Sequence, residues 1–250
     1  MTPMSTDERK QERRDCRMAT RAQTYQPAAM GFRDAVRVQE AITAPLERKA
    51  LACLARRTPE WIGPDHLTAL GFAAQFLAGL CYAAARWSQF GLLGAAIFIG
   101  VNWLGDSLDG TLARYRNRLR PRYGFYVDHI IDTFGAIFLI AGLAASGYVG
   151  WLVSAAMLTA FLTLSIETYL ASYTLGDFRI SHGYFGPTEI RILMVIGNLM
   201  LVFVPRVTLL EREFLLLDIG GAIATAAMFG MAIAAAVGHA KRLYNEERLP

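Results

Sequence analysis

Six long apolar runs limit what this chain can fold into more than any other feature. They cover about residues 66–85, 90–113, 125–146, 148–173, 186–205 and 218–240. A helix needs roughly 20 apolar residues to cross a bilayer. In lipid every backbone N–H and C=O must be satisfied internally, which leaves helices and closed barrels. These runs are continuous rather than alternating, so they do not read as barrel strands. They are rich in Ala, Gly, Leu and Phe, a composition that suits close helix packing. The predicted fold class is all-α: a six-transmembrane-helix integral membrane protein. The composition agrees, with 54% hydrophobic residues among 250.

The placement of charge predicts orientation. Twelve Lys and Arg precede the first run. Arg114, Arg116, Arg118, Arg120 and Arg122 follow the second run. Arg179 and Arg191 lie around the loop after the fourth, and Lys241, Arg242 and Arg248 close the chain. The opposite side holds only Arg86, Arg206 and Arg212. Basic residues concentrate on the cytoplasmic side of membrane proteins. Both termini and the loop after the second run are therefore expected in the cytoplasm, with a bacterial inner membrane as the location.

The chain divides into three parts: a cytoplasmic N-terminal segment over 1–58, a six-span domain over 59–245, and a short tail over 246–250. The first thirty residues are charged and lack an apolar core, so no cleavable signal peptide is expected. Their basic run reads as a solvated tail, with no nucleic-acid partner. Residues 31–57 alternate apolar and basic side chains in a helical pattern. That predicts a helix on an anionic membrane surface or packed on the membrane domain, with Pro45 breaking or kinking it. Asp65 is the expected cap of the first span. Trp87 and Trp103 are the expected interfacial anchors. Cys16, Cys53 and Cys81 show neither metal-site spacing nor a disulfide framework.

Four aspartates stand where the second and third runs meet the arginine-rich loop. On a helix, Asp106 and Asp109 share a face as an i, i+3 pair, and Asp128 and Asp132 do so as i, i+4. Unpaired, four acids in two spans would cost on the order of 10 kcal/mol. One or two divalent cations turn the same group into a hard-oxygen site. Gly110, Gly124 and Ala113 keep the surroundings small, which lets a ligand come close. Arg114 adds a guanidinium suited to phosphate. Together these residues point to a diphosphate site.

The pattern Asp106-x-x-Asp109-Gly110-x-x-Ala113-Arg114, nine residues, Gly124-x-x-x-Asp128-x-x-x-Asp132 resembles the signature of the CDP-alcohol phosphotransferase family. The resemblance covers about residues 60–245, including the segment PDHLTALGF. It implies transfer of a substituted phosphoryl group from a CDP-linked donor to an alcohol, with release of CMP. One partner is then a lipid substrate or product. It implies Mg2+ or Mn2+ in a two-metal site, with Asp106, Asp109 and Asp128 as ligands. Asp132 either completes the second metal or takes the acceptor's proton. Asp109, Gly110, Ala113, Arg114 and Gly124 would meet the CDP part. Arg179 and Arg191 are candidates for an acceptor's phosphate, and a homodimer is a further implication.

The lipid sits on the donor in one branch of that family and on the acceptor in another. Asp128-His129 and Thr188-Glu189 resemble the choline and ethanolamine phosphotransferase branch. A His129–Glu189 pair would there serve as the base. The leaning is thus a CDP-amino-alcohol donor with a diacylglycerol-like acceptor. The alternative is a CDP-diacylglycerol donor with glycerol phosphate, serine, inositol or inositol phosphate as acceptor. A cation transporter is the rival from another class; it predicts acids spread along a pathway, not gathered beside Gly110, Ala113 and Arg114. Glu167, in the fourth run, either faces the central cavity or bonds a neighbouring helix.

Overall fold

A computed structural model describes residues 43–175, 186–209 and 211–247. Helix α1 is Ala44–Arg57. The long helices follow: α2 Pro64–Ala84, α3 Phe90–Tyr115, α4 Pro121–Ala145, α5 Trp151–Leu175, α6 Pro187–Phe203 and α7 Leu216–Glu246. Five of them, α2 to α5 and α7, are long and apolar enough to cross a membrane. The sixth expected span, α6, has 17 residues. At 1.5 Å per residue it reaches about 25 Å, short of a hydrocarbon core of about 30 Å. The chain is a multi-pass membrane protein. Its large apolar side chains accordingly face outward on many helices, among them Phe90, Ile97, Phe203 and Ile233.

Proline starts several of these helices. Pro45 and Pro64 lie in the first turns of α1 and α2, and Pro121 and Pro187 open α4 and α6. A first-turn proline loses no intrahelical bond, and its fixed φ suits the helix. Pro45 thus begins α1 instead of kinking it. At α2 the cap also differs from expectation. The Gly63 N–H donates to His66 Nδ1 at 2.9 Å, while Asp65 pairs with Arg120.

Helix α2 packs on α3 and α4, α3 also on α1 and α6, and α5 on α4 and α7. Glycines set the closest crossings. A Cβ on Gly105 would stand 2.7 Å from Gly71 N and from Leu67 O, so α2 and α3 meet backbone to backbone. A Cβ on Gly142 would collide with the Gly79 carbonyl, which brings α4 equally close to α2. One core gathers Ala78, Tyr82, Leu92, Ile99, Leu143 and Leu201; there the Tyr82 hydroxyl donates to Asn198 Oδ1 at 2.9 Å. A second core joins Leu51 and Ala55 of α1 to Leu67, Leu108 and Leu112. Glu47, Leu51 and Ala55, spaced at i, i+4 and i+8, form the buried stripe of α1. Of the stretch expected to be helical, Ala44–Arg57 packs on the membrane domain, while residues 31–42 lie outside the described residues.

Two short strands depart from the all-helical expectation. They are β1, Arg206–Leu209, and β2, Arg212–Leu215, paired antiparallel with Arg206 opposite Leu215. Val207, Thr208 and Phe214 favour extended backbone. Four-residue strands between two apolar runs leave too little pattern to announce a hairpin.

The arginine-rich loop clasps the turn into the membrane. The Arg116 guanidinium donates to the carbonyls of Thr58, Pro59 and Ile62 at 2.9, 2.9 and 2.6 Å. The Arg120 guanidinium lies over the Tyr123 ring at 4.2 Å. Trp87 is 81% exposed, as an interfacial anchor would be, whereas Trp103 turns inward to Glu47.

Candidate active site

Asp106 and Asp109 near the end of α3 and Asp128 and Asp132 near the start of α4 line one pocket. Thr68, Gly71 and Phe72 of α2 form another wall, and Asn102 and Ile131 complete the lining. The i, i+3 and i, i+4 spacings work as helical geometry requires, each turning both acids of its pair to the cavity. The contact of Gly71 with Gly105 holds α2 against α3 one residue before Asp106.

Each carboxylate of α3 is held by a donor. Thr68 Oγ1 donates to Asp109 Oδ2 at 2.5 Å. Arg191 Nη2 donates to Asp106 Oδ2 at 2.7 Å, an ion pair reaching from α6. Asn102 Nδ2 donates to Gly71 O at 3.0 Å and stiffens the wall between them. The four aspartates offer oxygens alone, the donor type a hard divalent cation prefers. Among the described residues, no three acidic, His or Cys side chains converge closely enough to hold a metal ion as they stand.

The remaining expected residues divide. Gly124 opens the first turns of α4 at the surface, and nothing lies within 4 Å of where its Cβ would be. Ala113 is half-buried on α3. Arg114 is exposed, and its Nη2 donates to Thr111 Oγ1 at 3.3 Å. Arg191 is in the site through Asp106, whereas Arg179 lies outside the described residues. Glu167 bonds a neighbouring helix, its Oε1 lying 2.6 Å from His239 Nδ1 of α7.

His129 and Glu189 have different hydrogen-bond partners. The His129 Nδ1 lies 2.5 Å from Phe125 O, and its ring stands edge-on to Tyr169 at 4.5 Å between centroids. With a carbonyl as partner, Nδ1 carries the proton. Glu189 is 8% exposed, and its carboxylate is used elsewhere. Its Oε2 accepts from the Gly186 N–H at 2.9 Å, capping α6. Its Oε1 accepts from the Thr43 N–H at 3.0 Å and Thr43 Oγ1 at 2.7 Å. Glu189 is thus a helix cap that also grips Thr43, the residue before α1.

Sequence reasoning passed over three residues here. Thr68 lies in the quoted PDHLTALGF segment, whose resemblance was its signal. Asn102 is an amide inside an apolar run, a residue that must find a partner when buried. Glu47 is an acid on the buried stripe of α1, but nothing local names its partners.

The model of the CDP-alcohol phosphatidyltransferase family matches residues 61–238. An archaetidylinositol phosphate synthase of Pyrococcus horikoshii is 33% identical over 140 residues, which is 55% of this chain and 64% of that protein. The chain thus matches less than two thirds of the length of that curated relative. A crystal structure of Mycobacterium tuberculosis phosphatidylinositol phosphate synthase with CDP-DAG bound is similar at a TM-score of 0.47 and 21% identity, over 81% of this chain and 92% of that one.

Proposed function

The chain belongs to the CDP-alcohol phosphatidyltransferase family, and from that premise we propose that it joins a CDP-activated lipid to a polar alcohol. The acceptor's hydroxyl oxygen attacks the phosphorus that bears the lipid. The bond from that phosphorus to the bridging oxygen breaks, and CMP leaves with the electron pair. The hydroxyl proton passes to Asp132. The observation that carries this reading is that Asp106, Asp109, Asp128 and Asp132 line one pocket.

Asp106, Asp109 and Asp128 would hold one or two Mg2+ or Mn2+ ions, which would supply positive charge for the diphosphate and the leaving group, and this leaves Asp132 to take the proton. The protein's own part is positioning and charge. Thr68 orients Asp109, and Arg191 orients Asp106. Gly110, Ala113, Arg114 and Gly124 take the CDP part, with the open space at Gly124 admitting close approach. Arg191, bonded to Asp106, would meet a phosphate on the acceptor.

Two observations favour the lipid on the donor over the amino-alcohol leaning. Glu189 is committed to Thr43 and Gly186, so the Thr-Glu pair that pointed to the amino-alcohol branch has a structural task. The Pyrococcus relative is named for a lipid-linked inositol phosphate, which makes inositol phosphate the first acceptor to test. Purified protein in nanodiscs would be offered CDP-diacylglycerol, CDP-choline or CDP-ethanolamine with a panel of acceptors, and the lipids read by mass spectrometry. The expected product is a phosphatidyl ester of inositol phosphate or of another polar alcohol. A product formed solely from CDP-choline or CDP-ethanolamine with diacylglycerol would reverse the assignment.

A further inference from the structure

Glu47 is a buried carboxylate that the proposed chemistry does not use. It is 8% exposed. Its Oε1 accepts from Trp103 Nε1 at 3.2 Å and Ser107 Oγ at 3.1 Å, both on α3. The same oxygen accepts from Thr188 Oγ1 of α6 at 3.1 Å. Its Oε2 has no hydrogen-bond partner among the described residues. Burying a carboxylate is unfavourable unless donors surround it, so three donors on one oxygen mark a site that is held in place.

The neighbours of these donors are the residues of the active site. Ser107 follows Asp106. Thr188 lies one turn before Arg191. Arg191 Nη2 in turn reaches Asp106 Oδ2 at 2.7 Å. Helices α3 and α6 are therefore joined twice, once by the Arg191–Asp106 ion pair and once through Glu47. The first residues of the α1 region add a second grip on α6, where Thr43 donates twice to Glu189.

We propose that Glu47 is a positioning residue: by tying Ser107 and Trp103 of α3 to Thr188 of α6, it sets the spacing of those helices and so places Arg191 beside Asp106 in the acceptor's half of the site. Helix α1 is then a latch on the catalytic domain as well as a packed neighbour. The kinetic consequence rests on the phosphotransfer reading, whereas the geometric one does not.

The test uses the full chain with its three cysteines replaced by alanine. Spin labels on cysteines introduced at the exposed Tyr115 of α3 and Ile192 of α6 read the distance between the helices. Glu47→Ala and Thr188→Val should broaden or lengthen that distance. Glu47→Gln keeps an accepting oxygen and should stay near the parent. With CDP-diacylglycerol and inositol phosphate, Glu47→Ala and Thr188→Val should raise the acceptor KM about tenfold or more, the scale of a hydrogen bond to a charged group. The donor KM should change less than about twofold. If Glu47→Ala fails to fold, Thr188→Val carries both readouts, since it removes a hydroxyl at nearly constant volume. An unchanged distance, or equal rises in both KM values, overturns the proposal. If the parent chain makes no product with any donor, the functional reading falls, and the distance measurement alone decides the latch.

Discussion

At the scale of single residues, partners decide roles. Asp106 and Asp109 face the pocket, Asp106 accepting from Arg191 and Asp109 from Thr68 and the Gly110 N–H. Asp106→Asn or Asp109→Asn is expected to abolish CMP release while the protein still elutes as a folded species in detergent; near-normal release in either variant would exclude it as a metal ligand. Chelator should likewise stop the reaction, and Mg2+ or Mn2+ should restore it. His129 and Glu189 lead to a different expectation. The His129 hydrogen bond runs to Phe125 and those of Glu189 to Thr43 and Gly186, which favours independent roles. Losses in turnover from His129→Ala and Glu189→Gln should therefore multiply, adding in free energy to within about 0.5 kcal/mol. A double variant no worse than the worse single one would restore the dyad.

At the scale of helices, close approach and open space can be told apart by adding one methyl group. Gly105 touches the α2 backbone at Leu67 and Gly71, so a new Cβ has no flexible side chain to push aside. Gly105→Ala should lower thermal stability by about 1–3 kcal/mol, the usual range for overpacking, and reduce turnover with it. Gly124 has nothing within 4 Å. Gly124→Ala should leave stability unchanged or raise it by up to about 1 kcal/mol, since alanine is the better helix former. Its effect should fall on the KM for the CDP-donor. Thermal melts and initial rates on the two variants separate these outcomes, and a stability loss at Gly124 would contradict the open geometry.

At the scale of the whole molecule, charge predicts an orientation in the membrane. The loop holding Arg116, Arg118 and Arg120 lies at one end of α4, and Gly147 lies just past the other. Single cysteines at residues 118 and 245 should resist an impermeant thiol reagent in intact cells, and one at residue 147 should react. Labelling of residue 118 from outside would put the pocket away from the compartment that supplies CDP-activated substrates. Two of the arginines carry a structural load besides any topological one, since Arg116 closes on the α1–α2 turn and Arg120 on Asp65.

Hydropathy and spacing along the chain were enough to place the long apolar helices, five of them of spanning length, and the four-aspartate pocket. Both are local properties: an apolar run commits a segment to lipid, and i, i+3 and i, i+4 positions share a helix face whatever else the chain does. Tertiary structure alone decided which side chains Glu47, Glu189 and Arg191 would meet. Their partners lie 60, 146 and 85 residues away in sequence, at Ser107, Thr43 and Asp106. A carboxylate or guanidinium can bond to many donors or acceptors, and the rotation of each helix about its axis selects among them. That rotation is set by packing, here by glycines that let α2 lie against α3 and α4. For this reason Thr188-Glu189 could resemble a catalytic pair in sequence and serve as an anchor for α1 in the fold.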